Sequence, residues 1–356
     1  MNAANGTITN TINISTAAAF TPNIKIRFLW EGNTHYYWMI DDFTIIEGPK
    51  NDLELREPRV EFNTTYTYNP FYGQIPYDLF TPLQISGVNA NVGCNTLTNV
   101  RLEGEFIHVA DPQCIPGLRS IFNTSSPFLT LANFQTDNAV GSIPNFVPTI
   151  LGEFQVNLLA DSDSLGENPG NETYSQRFAI GDTLLAREDN GYGGGIRTGS
   201  YIRNGQTSSQ LAGDKLGLLY VIESRTGNGG LSKTPTSIKF AVSDNPNNIG
   251  VGISPKIWEY DEDSLLGQTG SVAAAFGAEV ASSFIPYTFN VIDTLITIPL
   301  DNGSAVINGL DSGQYVVGWE VTNTHGGNNF EVYEDASSGQ FQPLVACFIN
   351  LAHQPG

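Results

Sequence analysis

The densest run of cation-binding oxygen in this sequence is Asp161-Ser162-Asp163-Ser164-Leu165-Gly166-Glu167-Asn168. Two aspartates at i and i+2, with a glutamate six positions after the first, can gather carboxylate oxygens around a hard cation. Asp161, Asp163 and Glu167 are therefore the candidate metal ligands, and Ca2+ is the candidate cofactor. The run is not an EF-hand, because its glycine and its last acid stand at the wrong offsets. The plainer reading is a set of solvated acids in a turn. Asp261-Glu262-Asp263 is a sparser candidate of the same kind, and Asp41-Asp42 is a further carboxylate pair. Glycoside hydrolysis needs two carboxylates at a defined separation across a cleft, and a linear sequence does not specify one.

Other reactive groups lack the spacing that catalysis needs. The four histidines, His35, His108, His325 and His353, form no HExxH or HxH motif, which excludes a zincin-type site. No G-x-S-x-G elbow is present to expose a serine nucleophile. The three cysteines, Cys94, Cys114 and Cys347, include no CxxC pair, which removes zinc ribbons and dithiol redox motifs. Cys94 and Cys114 could close one disulfide, and Cys347 reads as a buried free thiol in an apolar run. The glycine-rich stretch 191–195 is not followed by the Lys-Ser/Thr of a phosphate loop.

Aromatic residues offer recognition rather than reaction. Tyr36, Trp38 and Ile40 alternate with Tyr37, Met39 and Asp41, so both faces of that strand carry rings. One face belongs in a core. Tyr37 on one face and Trp38 on the other are therefore the candidate ligand-binding residues, the ring on the outer face stacking on sugar rings unless it packs on a neighbouring module. Tyr66, Tyr68, Phe71, Tyr72 and Tyr77 form a second cluster, suited to line a contact between domains.

The elements that must position these residues are strands. Ile24, Ile26, Phe28 and Trp30 alternate with Lys25 and Arg27, and the same period of two recurs in Phe154, Val156 and Leu158. It recurs again in Ile238, Phe240 and Val242, and in Tyr315, Val317, Trp319 and Val321. Turn clusters such as Asp301-Asn302-Gly303 and Asp311-Ser312-Gly313 separate these runs. The one helical candidate is the Ala-rich segment Ser271 to Phe284, which reads equally as a loop at a sandwich edge. Seams at Glu47–Asp52 and at Gly181–Gly195 divide the chain into 1–48, 49–184 and 185–356.

Composition agrees. The 356 residues are 40% hydrophobic but only 15% charged, with 37 Gly and 19 Pro, which suits short strands joined by many turns. The net charge of −20 repels nucleic-acid phosphates and anionic lipid, and attracts cations. No segment approaches the length of an apolar membrane span, so neither nucleic acid nor membrane insertion is expected. The first residues carry no secretory leader pattern, so the expectation is either a cytoplasmic chain or, as the family resemblance favours, a piece of a longer precursor.

Two stretches carry a family resemblance. Ile24 to Gly32, followed by Tyr36 to Ile45, resembles the closing strands of a jelly-roll domain found in secreted proteins of the Bacteroidetes type IX system. Residues 51–180 resemble the Ig-like CARDB module, a cell-adhesion-related domain. The residues that carry this are Val88-Asn89-Ala90-Asn91-Val92-Gly93, Leu97 to Leu102 and Gly152 to Val156, with the acidic loop 161–172 closing it. The block from Leu185 to Asn350 resembles the jelly-roll-like module that follows it. The resemblance implies an all-β chain of tandem β-sandwich modules, exported and displayed at the cell surface. It also implies O-glycan attachment at Asp-Ser/Thr-apolar triplets, here Ser164, Thr183, Ser264 and Thr294.

The expectation is a non-catalytic secreted or cell-surface adhesion or scaffold protein whose partners are other surface proteins or glycans. Two other readings stay open. One is a carbohydrate-binding appendage of a larger secreted enzyme. The other is a fibre subunit that self-associates by strand exchange through its N-terminal strands.

Overall fold

The computed structural model describes residues 14, 23–29, 43–45, 48–66, 70–110, 119–122, 129–143, 150–164, 166–187, 196–197, 212–213, 215–223, 233–260, 276–301, 307, 309–323, 334–335 and 347–352. It divides into two compact units, Met1–Glu47 and Gly48–Gly356.

In the first unit the alternation of Ile24, Ile26 and Phe28 does not become a strand. Residues 24–29 and 43–45 carry no strand pairing, and Ile24, Ile26, Phe28, Leu29, Phe43 and Ile45 are all exposed. Alternation sorts side chains to two faces, but a strand exists only where its N–H and C=O groups meet a partner. The expected strand is corrected for these residues. Phe28 and Phe43 instead meet edge to face, with ring centres 5.2 Å apart. Trp30, Tyr37 and Trp38 lie outside the described residues.

The second unit is all β. Its first part holds β1 (Leu53–Phe62), β2 (Gln74–Pro76), β3 (Leu83–Asn91), β4 (Arg101–His108), β5 (Arg119–Phe122), β6 (Thr136–Ile143), β7 (Gly152–Asp161), β8 (Thr173–Gly181) and β9 (Leu184–Ala186). The later part holds β10 (Ile196–Arg197), β11 (Lys215–Ile222), β12 (Thr234–Val242), β13 (Gly252–Tyr260), β14 (Phe276–Ser282), β15 (Tyr287–Thr288), β16 (Thr294–Pro299), β17 (Gly313–Asn323), β18 (Glu334–Asp335) and β19 (Cys347–Ala352). Among the described residues the only helices are single 3-10 turns at Tyr77–Leu79 and Pro246–Asn248. The Ala-rich helix candidate is corrected where it is described. Phe276–Ser282 is β14, bound antiparallel to β13, because a ladder partner outweighs the weak helical preference of alanine.

Two sandwiches share one long sheet. The order β16-β12-β19-β9-β2-β8-β7-β4-β5 runs through nine strands. One end of that sheet is covered by β1-β3-β6, the other by β11-β17-β13-β14. The inward faces follow the alternation read from sequence. Phe154, Val156 and Leu158 are buried, as are Ile238, Phe240 and Val242, and Val317, Trp319 and Val321. They belong to one continuous apolar cluster. Phe106 stacks on Phe154 at 5.1 Å in the first sandwich, and Phe240 on Trp319 at 5.0 Å in the second. Such ring pairs contribute about 0.5–1.5 kcal/mol each beyond the area they bury.

The joint between the sandwiches is polar and buried. Strand β11 is an edge of its sheet, so one side of its backbone lacks a ladder. Side chains complete that edge. The Tyr72 hydroxyl donates to Val221 O at 2.7 Å and accepts from Val221 N at 2.8 Å, while its ring stacks on Tyr220 at 6.0 Å. Arg187 donates to Leu219 O at 2.9 Å, two residues along the same edge. An edge satisfied in this way is closed to strand addition. Close by in the chain, Lys233 pairs with Asp78. Of the expected aromatic cluster, Tyr72 meets the second sandwich, Phe71 packs on Phe62 and Phe178 within the first, and Tyr68 lies outside the described residues.

Candidate functional site

The acidic loop after β7 is built as a clasp. Asp161 pairs with Arg101. Asp163 accepts from Thr98 Oγ1 at 3.0 Å and from Asn99 Nδ2 at 3.1 Å. Glu167 accepts from the Lys50 backbone N–H at 3.2 Å. Asn168 and Asn171 both donate to the buried Asp52 carboxylate, at 2.5 and 3.0 Å. The loop therefore ties residues 50–52 to residues 98–101. Gly93 belongs to the same clasp, since a Cβ there would stand 2.6 Å from Asp52 N. Asp161, Asp163 and Glu167 each have different partners, and among the described residues no three His, Cys, Asp or Glu side chains converge as metal ligands would.

The remaining candidate residues fall apart from one another. Cys94 is an exposed free thiol at this clasp, and Cys114 lies outside the described residues. Ser164 is half-buried in the clasp, where its backbone meets the Ser162 hydroxyl. Thr183 is exposed between β8 and β9, and Thr294 is half-buried at the start of β16. Ser264 and the acids 261–263 lie outside the described residues.

A second polar assembly went unread in the sequence, on the outer face of β4, β7 and β8. Antiparallel register sets its rows. Arg101 lies opposite Asp161; Glu105, Asn157 and Ser175 form one row across three strands; Gln155 lies opposite Arg177. The rows are joined by hydrogen bonds. Asn157 Oδ1 accepts from Gln155 at 2.5 Å and from Ser175 at 2.8 Å, and its amide donates to Glu105 at 3.5 Å. Arg177 donates to Gln155 Oε1 at 2.9 Å and to Glu153 at 3.1 Å. At the other end Arg101 bridges Asp161 and Glu103, the latter at 2.9 Å. Burial alone would lower the Arg101 pKa, but hydrogen bonds and charges from Glu103 and Asp161 outweigh it and hold the pKa above its ordinary value.

Between these two groups the face dips into a depression of about 260 Å³. Its rim side chains are Glu103, Glu105, Asn157, Thr173 and Ser175, with Leu159 at an apolar position among them. This is smaller than the ~300–1,000 Å³ of an enclosed small-molecule pocket. The side chains are held by one another, so their donors and acceptors are preset on a rigid sheet. The carboxylates of Glu103, Glu105, Glu153 and Asp161 outnumber the guanidinium groups of Arg101 and Arg177 on this face. The signal that could have found it is the polar half of the alternation, Glu103/Glu105, Gln155/Asn157 and Ser175/Arg177. Polar residues on the outward face of a sandwich strand are commonplace, so the pattern alone does not mark a site.

No known protein family matches the chain, and no curated protein matches it. Among solved structures, the chain is similar to a CARDB domain from Pyrococcus furiosus, solved in complex with di-metal ions, with 11% identity and a TM-score of 0.25 over 38% of this chain and 97% of that one. It is also similar to a serine-rich repeat adhesion glycoprotein from Streptococcus agalactiae, with 11% identity and a TM-score of 0.15 over 85% of this chain and 97% of that one. No helix among the described residues is long and apolar enough to cross a membrane.

Proposed function

We propose that this chain is a non-catalytic adhesion or scaffold protein, exported and displayed outside the cell, that recognises a neutral or basic polar partner on the outer face of β4, β7 and β8. One observation carries the reading: a hydrogen-bonded network of Arg, Asn, Gln, Ser and Glu side chains, fixed in rows on an open sheet around a shallow depression. Preset donors and acceptors lower the ordering cost of binding a hydroxyl-rich or amide-rich surface. The excess of carboxylates disfavours anionic ligands. A neutral glycan fits best, since the apolar Leu159 offers a patch for a sugar ring and the rim supplies partners for its hydroxyls. The carboxylates on this face are held by arginine and amide donors, which suits recognition more than acid–base work. The type IX route of export rests on the sequence resemblance.

The test is a glycan array with the intact chain, followed by titration of the best neutral glycan against the variant Ser175→Trp. Ser175 is exposed on the rim, so the bulky ring fills the depression without entering the core. Binding that weakens at least tenfold supports the reading. Binding unchanged by the tryptophan, or capture of acidic glycans alone, sinks it.

A second reading is self-association through the N-terminal unit. The exposed Ile24, Ile26, Phe28, Leu29, Phe43 and Ile45 favour it, because apolar side chains grouped in this way commonly mark an interaction surface.

A further inference from the structure

The Lys233–Asp78 pair is unlike any other charged contact described here. The Lys233 side chain retains 2% of its exposure and Asp78 12%, whereas every other ion pair among the described residues keeps at least one partner exposed by 20% or more. The two residues come from the two sandwiches. Asp78 sits in the single 3-10 turn Tyr77–Leu79 after β2, whose neighbours Leu79 and Phe80 are buried. Lys233 precedes β12 and is fixed through its own backbone: it donates to Leu310 O at 3.2 Å and accepts from Leu310 N at 2.7 Å. Nζ and the Asp78 carboxylate are in direct contact.

We infer that Lys233 and Asp78 form an intramolecular amide bond, a covalent staple between the two sandwiches made without cofactor or enzyme. The argument is chemical. An amine and a carboxylic acid condense to an amide with loss of water, and in solution the reaction stalls because both groups are charged and far apart. Here neither obstacle stands. The groups are held in contact, Lys233 by its backbone bonds to Leu310 and Asp78 by its 3-10 turn, which replaces an encounter between free molecules. They are also removed from water, where an ion pair loses the solvation that favours its charges. Within the pair the ammonium passes one proton to the carboxylate, giving a neutral amine and a neutral acid. The Nζ lone pair then attacks Cγ. One hydrogen from nitrogen and the acid's hydroxyl leave together as water, and the C–N bond remains. Atoms and charge balance, and no oxidant or external reactant enters. Exclusion of bulk water also opposes the reverse hydrolysis.

Such a bond would close a long loop of the chain and act on the unfolded state as a disulfide does, with no dependence on an oxidising environment. It would bind the shared sheet at the point where the first sandwich hands over to the second.

Intact mass under denaturing conditions tests this directly on the whole chain. After prolonged incubation of the folded protein, the expected mass lies below the sequence-derived value by one water, about 18 Da. Proteolysis should release a branched peptide joining residues 78 and 233, and Lys233→Ala and Asp78→Ala should each restore the full mass. A wild-type chain at its full mass overturns the inference. So does a water deficit that persists in both variants, which would place the dehydration elsewhere. The wild-type mass and the branched peptide decide the matter even if a variant fails to fold.

Discussion

The outer face of the first sandwich and the joint between the two sandwiches use the same chemistry under opposite conditions. On the face, Arg177 keeps 47% of its side-chain exposure while it pairs with Glu153. At the joint, Lys233 keeps 2% while it holds Asp78. Water decides what each pair is worth. Exposed pairs are screened and gain little net energy, so their use is to hold side chains in a fixed pattern. A buried pair has given up its hydration, and removing either partner strands the other. The face is therefore built to present groups, and the joint to lock two halves together.

That contrast can be broken in order of expected effect. Asp78→Ala leaves the Lys233 amine buried without the carboxyl group it meets and removes any cross-link between them, so it should cost at least about 3–5 kcal/mol in urea unfolding. A cost below about 1 kcal/mol, the level of an exposed pair, would erase the distinction between the two regions. Tyr72→Phe removes the hydroxyl that serves both the N–H and the C=O of Val221. Leaving those buried edge groups without a partner should cost about 1–3 kcal/mol. Its aromatic stack on Tyr220 is retained, so a much larger loss would mean that the ring carries the joint. Arg177→Gln should change stability by no more than about 1 kcal/mol, and raised salt should shrink even that difference. A loss as large as that of Asp78→Ala would show that the face is structural, which would weaken its reading as a recognition surface.

Much of the core was legible because period two is a local property. Phe154, Val156 and Leu158, or Ile238, Phe240 and Val242, declare their inward face without reference to any partner strand. The same pattern misled at Ile24, Ile26 and Phe28, where the alternation is present and a ladder is not. The acidic loop shows a different gap. Its carboxylates were plain in the sequence, but their donors, Thr98, Asn99, Arg101 and the Lys50 amide, come from two other segments. Composition names the acceptors of such a loop and says nothing of which donors will reach them. The outer face was hidden for the same reason. Glu105, Asn157 and Ser175 become one row only when β4, β7 and β8 are set side by side in register.

By itself, then, the sequence determined the class of the fold, the inward face of most strands and the strongly acidic surface, because these follow from side-chain type and its period along the chain. The tertiary structure alone decided the neighbours: that Asp78 meets Lys233, that Tyr72 completes the edge of β11, and that one sheet passes through both sandwiches. Contacts of this kind join segments far apart in the chain, and strand order and register, which no local pattern encodes, select them.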